Sequence, residues 1–198
     1  MSFLFAQLLP SLTWKIKTKE KIIYLTFDDG PIPEVTPWVL DKLKDYGAKA
    51  TFFCVGENAR KNPDILERII TEKHTLGNHT MNHLNGWKVK TDDYISNIKD
   101  CSRYVSSDLF RPPYGKIRLA QIRSVKKEYK IIMWNVLSKD YDINLTGQQC
   151  FEIVKRKLTA GSIVVFHDSI KAKNRLQEAL PATLEYFSNT GYRFHALT

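Results

Sequence analysis

Only three cysteines occur in the 198 residues, Cys54, Cys101 and Cys150. They are odd in number, widely spaced and without a Cys-x-x-Cys pair, which excludes a disulfide framework, a zinc ribbon and a thioredoxin-like redox motif. All three lie in apolar-periodic segments, so buried core thiols are expected. No apolar stretch approaches the roughly 20 residues of a membrane span. The apolar start, Met1 to Pro10, has neither a basic lead-in nor a small-residue cleavage site, and so gives no support for export. Residues 1–20 are expected to form an N-terminal extension packed on the domain, with a membrane surface as the alternative resting place. No run of five like charges and no arginine-rich or helix-turn-helix signature accompanies the net charge of +9. A solvated basic surface is therefore expected, and nucleic acid is not an expected partner. Gly/Ser linkers, low-complexity tracts and internal repeats are also lacking, which leaves residues 21–198 as one domain. Oligomeric state is not legible.

What is present is alternation. Short β-branched or aromatic runs occur at 21–27, 50–55, 75–77, 131–136, 162–166 and 192–194, with Leu109-Phe110 as a further short run. Between them lie helical patterns at 36–46, through Ile65 to Ile70, and at 92–105, 119–129, 146–158 and 175–188. Repeated strand–helix alternation predicts an α/β fold, a mostly parallel sheet covered by helices, and the number of units suits a barrel. Each unusual polar cluster follows an apolar run, where such folds gather their chemistry.

Five clusters stand out. Thr26-Phe-Asp-Asp-Gly-Pro31 sets two carboxylates, Asp28 and Asp29, at a strand end; they would repel if buried and ionised, and a cation would relieve this. An Asp-Gly-Pro turn is the plain alternative. Gly77-Asn-His-Thr-Met-Asn-His83 puts His79 and His83 on one face if the segment makes a helical turn. A chance i, i+4 pair in a polar stretch is the plain alternative; combined with Asp29 the two would supply three N/O ligands and leave a position for water, the ligand set of a catalytic zinc site. Phe110-Arg-Pro-Pro-Tyr-Gly115 is stiffened by two prolines, so Tyr114 and Gly115 offer the next free N–H groups, suited to an oxyanion, and Arg111 can pair with a carboxylate. Met133 to Asp142 forms the fourth cluster. In the fifth, His167 follows four apolar residues at a strand mouth, where it is placed either as a satisfied core-edge histidine or as a general acid.

Taken in this order, the five clusters resemble the polysaccharide deacetylase family, also called the NodB homology domain or carbohydrate esterase family 4, from about Ile22 to Phe194. The resemblance implies a distorted (β/α) barrel and a hydrolase that removes acetyl groups from a glycan such as peptidoglycan or a chitin-like oligomer. It implies Asp28 as base and Asp29, His79 and His83 as ligands of a divalent metal, Zn²⁺ first, with Co²⁺ or another transition ion able to substitute. His167 would be the general acid and the Tyr114 N–H an oxyanion donor. Arg111 would orient Asp28, with Asp140 pairing to Arg111 from behind. Pro113, Tyr114, Tyr141 and Val165 would contact substrate. Trp87 follows the second motif and either stacks on a sugar or plugs the core. Tyr141 stands where the family commonly has Trp, Leu137 where many members have Asp, and Val165 where Leu is usual; these bear on the substrate, not on the metal, base or acid. No Ser or Cys nucleophile is needed, and no Gly-x-Ser-x-Gly elbow occurs. O-deacetylation uses the same residues. Two rival functions stay open: a catalytically silent glycan-binding protein, and an amide hydrolase acting on a small non-sugar substrate.

Overall fold

The computed structural model describes residues 11–198, so the apolar Met1–Pro10 segment lies outside the described residues. Strands and helices alternate: β1 (Leu12–Thr13), β2 (Ile22–Asp28), α1 (Thr36–Asp45), β3 (Ala50–Cys54), α2 (Gly56–Lys61), α3 (Pro63–Thr71), β4 (Thr75–Asn78), α4 (Thr91–Ser102), β5 (Leu109–Phe110), α5 (Leu119–Val125), β6 (Lys130–Ile132), β7 (Val136–Leu137), α6 (Gly147–Lys157), β8 (Ile163–His167), α7 (Lys173–Asn189) and β9 (Arg193–Phe194). Strand order is β1-β6-β5-β4-β3-β2-β8-β7, with β9 on β2, and every one of these ladders is parallel. The sheet curls into a half-barrel wrapped by helices, as the alternation predicts. No helix among the described residues is long and apolar enough to cross a membrane.

Strand β2 shows how the two faces are used. Ile23, Leu25 and Phe27 face the helices and join Val39, Leu40 and Leu43 of α1 in the main apolar cluster. Phe27 stacks between Phe52 and Phe166, with ring centroids at 5.0 and 6.1 Å. Each such fully buried side chain contributes about 1.5–3 kcal/mol. The alternate residues, Thr26 and Asp28, face the inside of the half-barrel, because side chains alternate along a strand. All three cysteines are buried and free.

Three local expectations change. The helix through Ile65–Ile70 is preceded by a separate α2, because Pro63 disfavours helical backbone at Asn62 and then opens α3 at its first turn. The run 131–136 is two strands: β6 pairs with β5 and β1, and Trp134-Asn135 carries the chain across to β7, which pairs with β8. The segment holding His79 and His83 is not a helical turn; Thr80 and His83 have φ of 64° and 53°.

Candidate active site

The five clusters meet at the C-terminal ends of the strands. Asp28 ends β2, and its register partner across the ladder is His167, the last residue of β8. Asp29 follows with φ 89°, its carbonyl accepting from Asn58 Nδ2 at 2.7 Å. The β4 exit loop brings in the histidines: Asn78 Oδ1 accepts from Thr80 N–H, and Thr80 Oγ1 from Leu84 N–H, fixing the loop without helical geometry. One ligand atom from each of Asp29, His79 and His83 then lies within 4.8 Å of the others.

The donor set fits a cation. His79 Nδ1 is 2.8 Å from the Arg111 carbonyl, which can only accept, so Nδ1 carries the proton and Nε2 presents a lone pair. Burial first, with His83 adding to it, pushes His79 down to about 4, which keeps the ring neutral. Its Nε2 lies 3.9 Å and that of His83 3.2 Å from Asp29 Oδ1, yet Oδ1 is buried without a hydrogen-bond partner. A buried carboxylate oxygen facing an imidazole lone pair is unfavourable unless a positive ion lies between them. Burial opposes ionisation of Asp29, but contact with His83 and the nearby His167 and His79 rings hold its carboxyl far below the usual carboxylate range.

Arg111 fills the inside of the half-barrel with no solvent exposure. Its Nη1 donates to Asp28 Oδ1 and Thr26 Oγ1, both at 2.7 Å, Nε to the Ile132 carbonyl and Nη2 to the Met133 carbonyl. The guanidinium also lies 4.0 Å from the Phe53 ring centroid. Asp28 is thus pinned by a buried cation with an acceptor on each of its three nitrogens.

Asp140 does not pair with Arg111. Its Oδ1 meets His167 Nδ1 at 2.7 Å and accepts from Ser138 Oγ, while Oδ2 accepts the His167 backbone N–H at 2.8 Å. The reason is topological. Asp140 follows β7, which pairs with β8, so its nearest cation is the residue ending β8, whereas Arg111 enters from β5 on the other side. Burial would lower the His167 pKa, but the Asp140 carboxylate, with Asp29 and Asp28 beyond it, outweighs burial and raises it to about 9.

Asp168, not singled out by the sequence, locks the turn that carries Asp28 and Asp29. Its Oδ1 accepts Gly30 N–H at 3.0 Å, its Oδ2 meets Thr36 Oγ1 at 2.6 Å, and its own N–H donates to the Asp28 carbonyl. A Cβ on Gly30 would stand 1.9 Å from Asp168 Oδ2, so the turn requires glycine. Burial pushes Asp168 up to about 8, against the Thr36 hydroxyl and Gly30 amide, which pull it down. Its adjacency to His167 is the one signal of this role that the sequence carries.

Around this centre lie the remaining residues. Tyr114 has φ 61°, and its ring is 4.6 Å from that of His83, with Oη 3.1 Å from His83 Nδ1. Gly115 does not offer a free amide: its N–H donates to the Pro112 carbonyl, and that of Lys116 to Pro113. Pro113 is buried in the same turn. Tyr141 meets the His167 ring edge-on at 5.1 Å. Val165 is buried two residues before His167, on the same strand face. Trp87 is 53% exposed and does not plug the core.

A parallel α/β half-barrel thus carries an Asp-His-His cluster and a second carboxylate at its C-terminal mouth. The polysaccharide deacetylase family model matches residues 15–133, and the chain belongs to that family. A Bacillus cereus peptidoglycan-N-acetylglucosamine deacetylase is 35% identical over 190 residues, covering 92% of this chain and 89% of the relative. A chitooligosaccharide deacetylase of Azorhizobium caulinodans is 32% identical over 164 residues, 78% of this chain and 77% of the relative. The crystal structure of the Bc1960 peptidoglycan N-acetylglucosamine deacetylase superposes with a TM-score of 0.91 at 32% identity, covering 98% of this chain and 94% of that one.

Proposed function

We propose that this chain is a metal-dependent N-deacetylase acting on acetylated amino sugars of a glycan, of which peptidoglycan and chitin-like oligomers are the leading candidates. One observation carries the metal: the buried, unpartnered Asp29 Oδ1 facing the Nε2 atoms of His79 and His83. These three residues would hold the ion, and an open N/O set of this kind suits Zn²⁺ and admits Co²⁺. When bound, a divalent ion supplies a Lewis acid to the acetyl carbonyl and lowers the pKa of water.

The chain's own residues supply the rest. Asp28 stands beside the ligand set as general base, accepting the proton of the attacking water through the oxygen that Arg111 leaves free. Arg111 is a positioning residue that fixes the direction of that carboxylate. His167, held protonated by Asp140 at neutral pH, donates to the leaving amine; with Nδ1 on Asp140, its Nε2–H is the proton available to the site. The Tyr114 N–H, in a turn whose next two amides are engaged, serves the developing oxyanion. Val165 and Tyr141 form the wall for the acetyl methyl, with Pro113 and Trp87 flanking the sugar. The same residues would also serve an O-acetyl ester.

The variant Asp28→Asn tests the division of roles. It should retain stoichiometric metal and lose nearly all acetate release; full turnover in that variant would remove Asp28 as the base.

A further inference from the structure

Two lysines near the site sit over aromatic rings instead of against carboxylates. Lys116 Nζ lies 5.3 Å from the Trp87 ring centroid, and Lys171 Nζ lies 6.0 Å from that of Tyr141. Each aromatic is tied to a different side of the centre. Tyr141 packs against His167. Lys116 follows the turn whose Tyr114 packs against His83. An arginine braces each pair. Arg118 donates to the Trp87 carbonyl, and the Trp87 indole N–H to the Ile117 carbonyl. Arg175 donates to the carbonyls of Asp140 and Lys171. Among the described residues neither ammonium is in an ion pair.

We infer that Trp87–Lys116 and Tyr141–Lys171 are two ledges that read carboxylates on the sugars flanking the reacting one, so that Lys116 and Lys171 set a preference for acidic glycans. The inference rests on the glycan deacetylase reading above. Each ammonium lies over its ring, held beside the centre by the aromatic, and keeps an unpaired charge for an acidic substituent of a sugar bound alongside. A neutral N-acetylglucosamine oligomer has nothing to offer these charges. A strand with a carboxylate on alternate sugars presents one on each side of the acetyl group being removed. The net charge of +9 adds a long-range attraction of the same sign.

The test compares three ligands: strands with free carboxylates on alternate sugars, the same strands with those carboxylates amidated, and the neutral N-acetylglucosamine tetramer. Affinity is measured by calorimetry on Zn²⁺-loaded Asp28→Asn protein at low salt, and acetate release on the wild type. The free-carboxylate strand should bind about tenfold tighter than its amidated form. Lys116→Gln and Lys171→Gln should each reduce that preference about threefold, the scale of one exposed ion pair. Together they should nearly abolish it, with affinity for the amidated strand moving less than about twofold on the same scale. Added salt should erode it. Equal affinity for free and amidated strands, or a full preference in the double variant, overturns the inference. A preserved preference with no acetate released from any strand would instead overturn the deacetylase reading and leave the ledges standing.

Discussion

Replacing Arg111 by Met removes the cation that Asp28 touches while keeping most of the side-chain volume. The wild-type guanidinium is fully buried and donates to Asp28, to Thr26 and to the carbonyls of Ile132 and Met133. Asp28 itself is only 4% exposed, so the variant strands a carboxylate in the half-barrel. Breaking a buried pair from one side costs about 3–5 kcal/mol, mostly the burial of the abandoned charge. For a chain of this size that corresponds to a fall in Tm of roughly 6–20 °C. The diagnostic result is the double variant. Adding Asp28→Asn removes the stranded charge and should recover about 1–3 kcal/mol, a coupling of the size seen for directly contacting residues. Denaturant unfolding of the wild type, both single variants and the double variant closes the cycle. A loss below about 1 kcal/mol for Arg111→Met, well under the cost of a broken buried pair, would refute the reasoning. So would a second substitution that simply adds its own cost. Turnover should fall with Arg111→Met while metal content stays unchanged.

His79→Ala should lose metal and activity together, and unchanged metal content would remove His79 from the ligand set. Chelation of the loaded wild type should lower Tm by roughly 5–10 °C if the ion is present at about 100 times its Kd. Asp140→Asn removes the charge that holds His167 near 9, so the alkaline fall of kcat should move at least about one unit lower, and an unmoved limb would separate Asp140 from the acid. The same raised His167 pKa predicts that its stabilising contribution is full below about 6.5, the ordinary value, and is lost as pH rises through 9; apo-protein unfolding between those limits reads it. Asp168→Ala strands Gly30 N–H and the Thr36 hydroxyl and should weaken metal binding about 10- to 100-fold, whereas Asp168→Asn keeps an acceptor for Gly30 N–H, loses the one for the Thr36 hydroxyl, and should cost less.

Much of this molecule is legible in its sequence because the signals are local. Runs such as Ile22–Phe27 and Ile163–Phe166 carry their own strand character, and the polar residues that follow them fall at the mouth of a parallel fold by topology alone. The features that depend on pairing are not legible. Nothing local in Ile131–Val136 shows that the chain crosses from one side of the half-barrel to the other at Trp134-Asn135. The expected pairing of Asp140 with Arg111 does not form, because strand order decides which cation is nearest, and β7 lies beside β8. The i, i+4 spacing of His79 and His83 points to a helical turn, yet backbone hydrogen bonds accepted by the Asn78 and Thr80 side chains fix a loop with left-handed residues that brings the rings together. Asp168 carries only its adjacency to His167 as a mark of its role, since a buried carboxylate bracing a turn otherwise looks, in sequence, like any polar residue after a strand.

The central claim is best tested by acetate release from N-acetylglucosamine oligomers, peptidoglycan and acetylated xylan, with chelator and with Zn²⁺ restored. Release that chelator stops and Zn²⁺ revives, strongest on an N-acetylated glycan, is the predicted result. No release from any of the three, with one equivalent of metal bound, would contradict it.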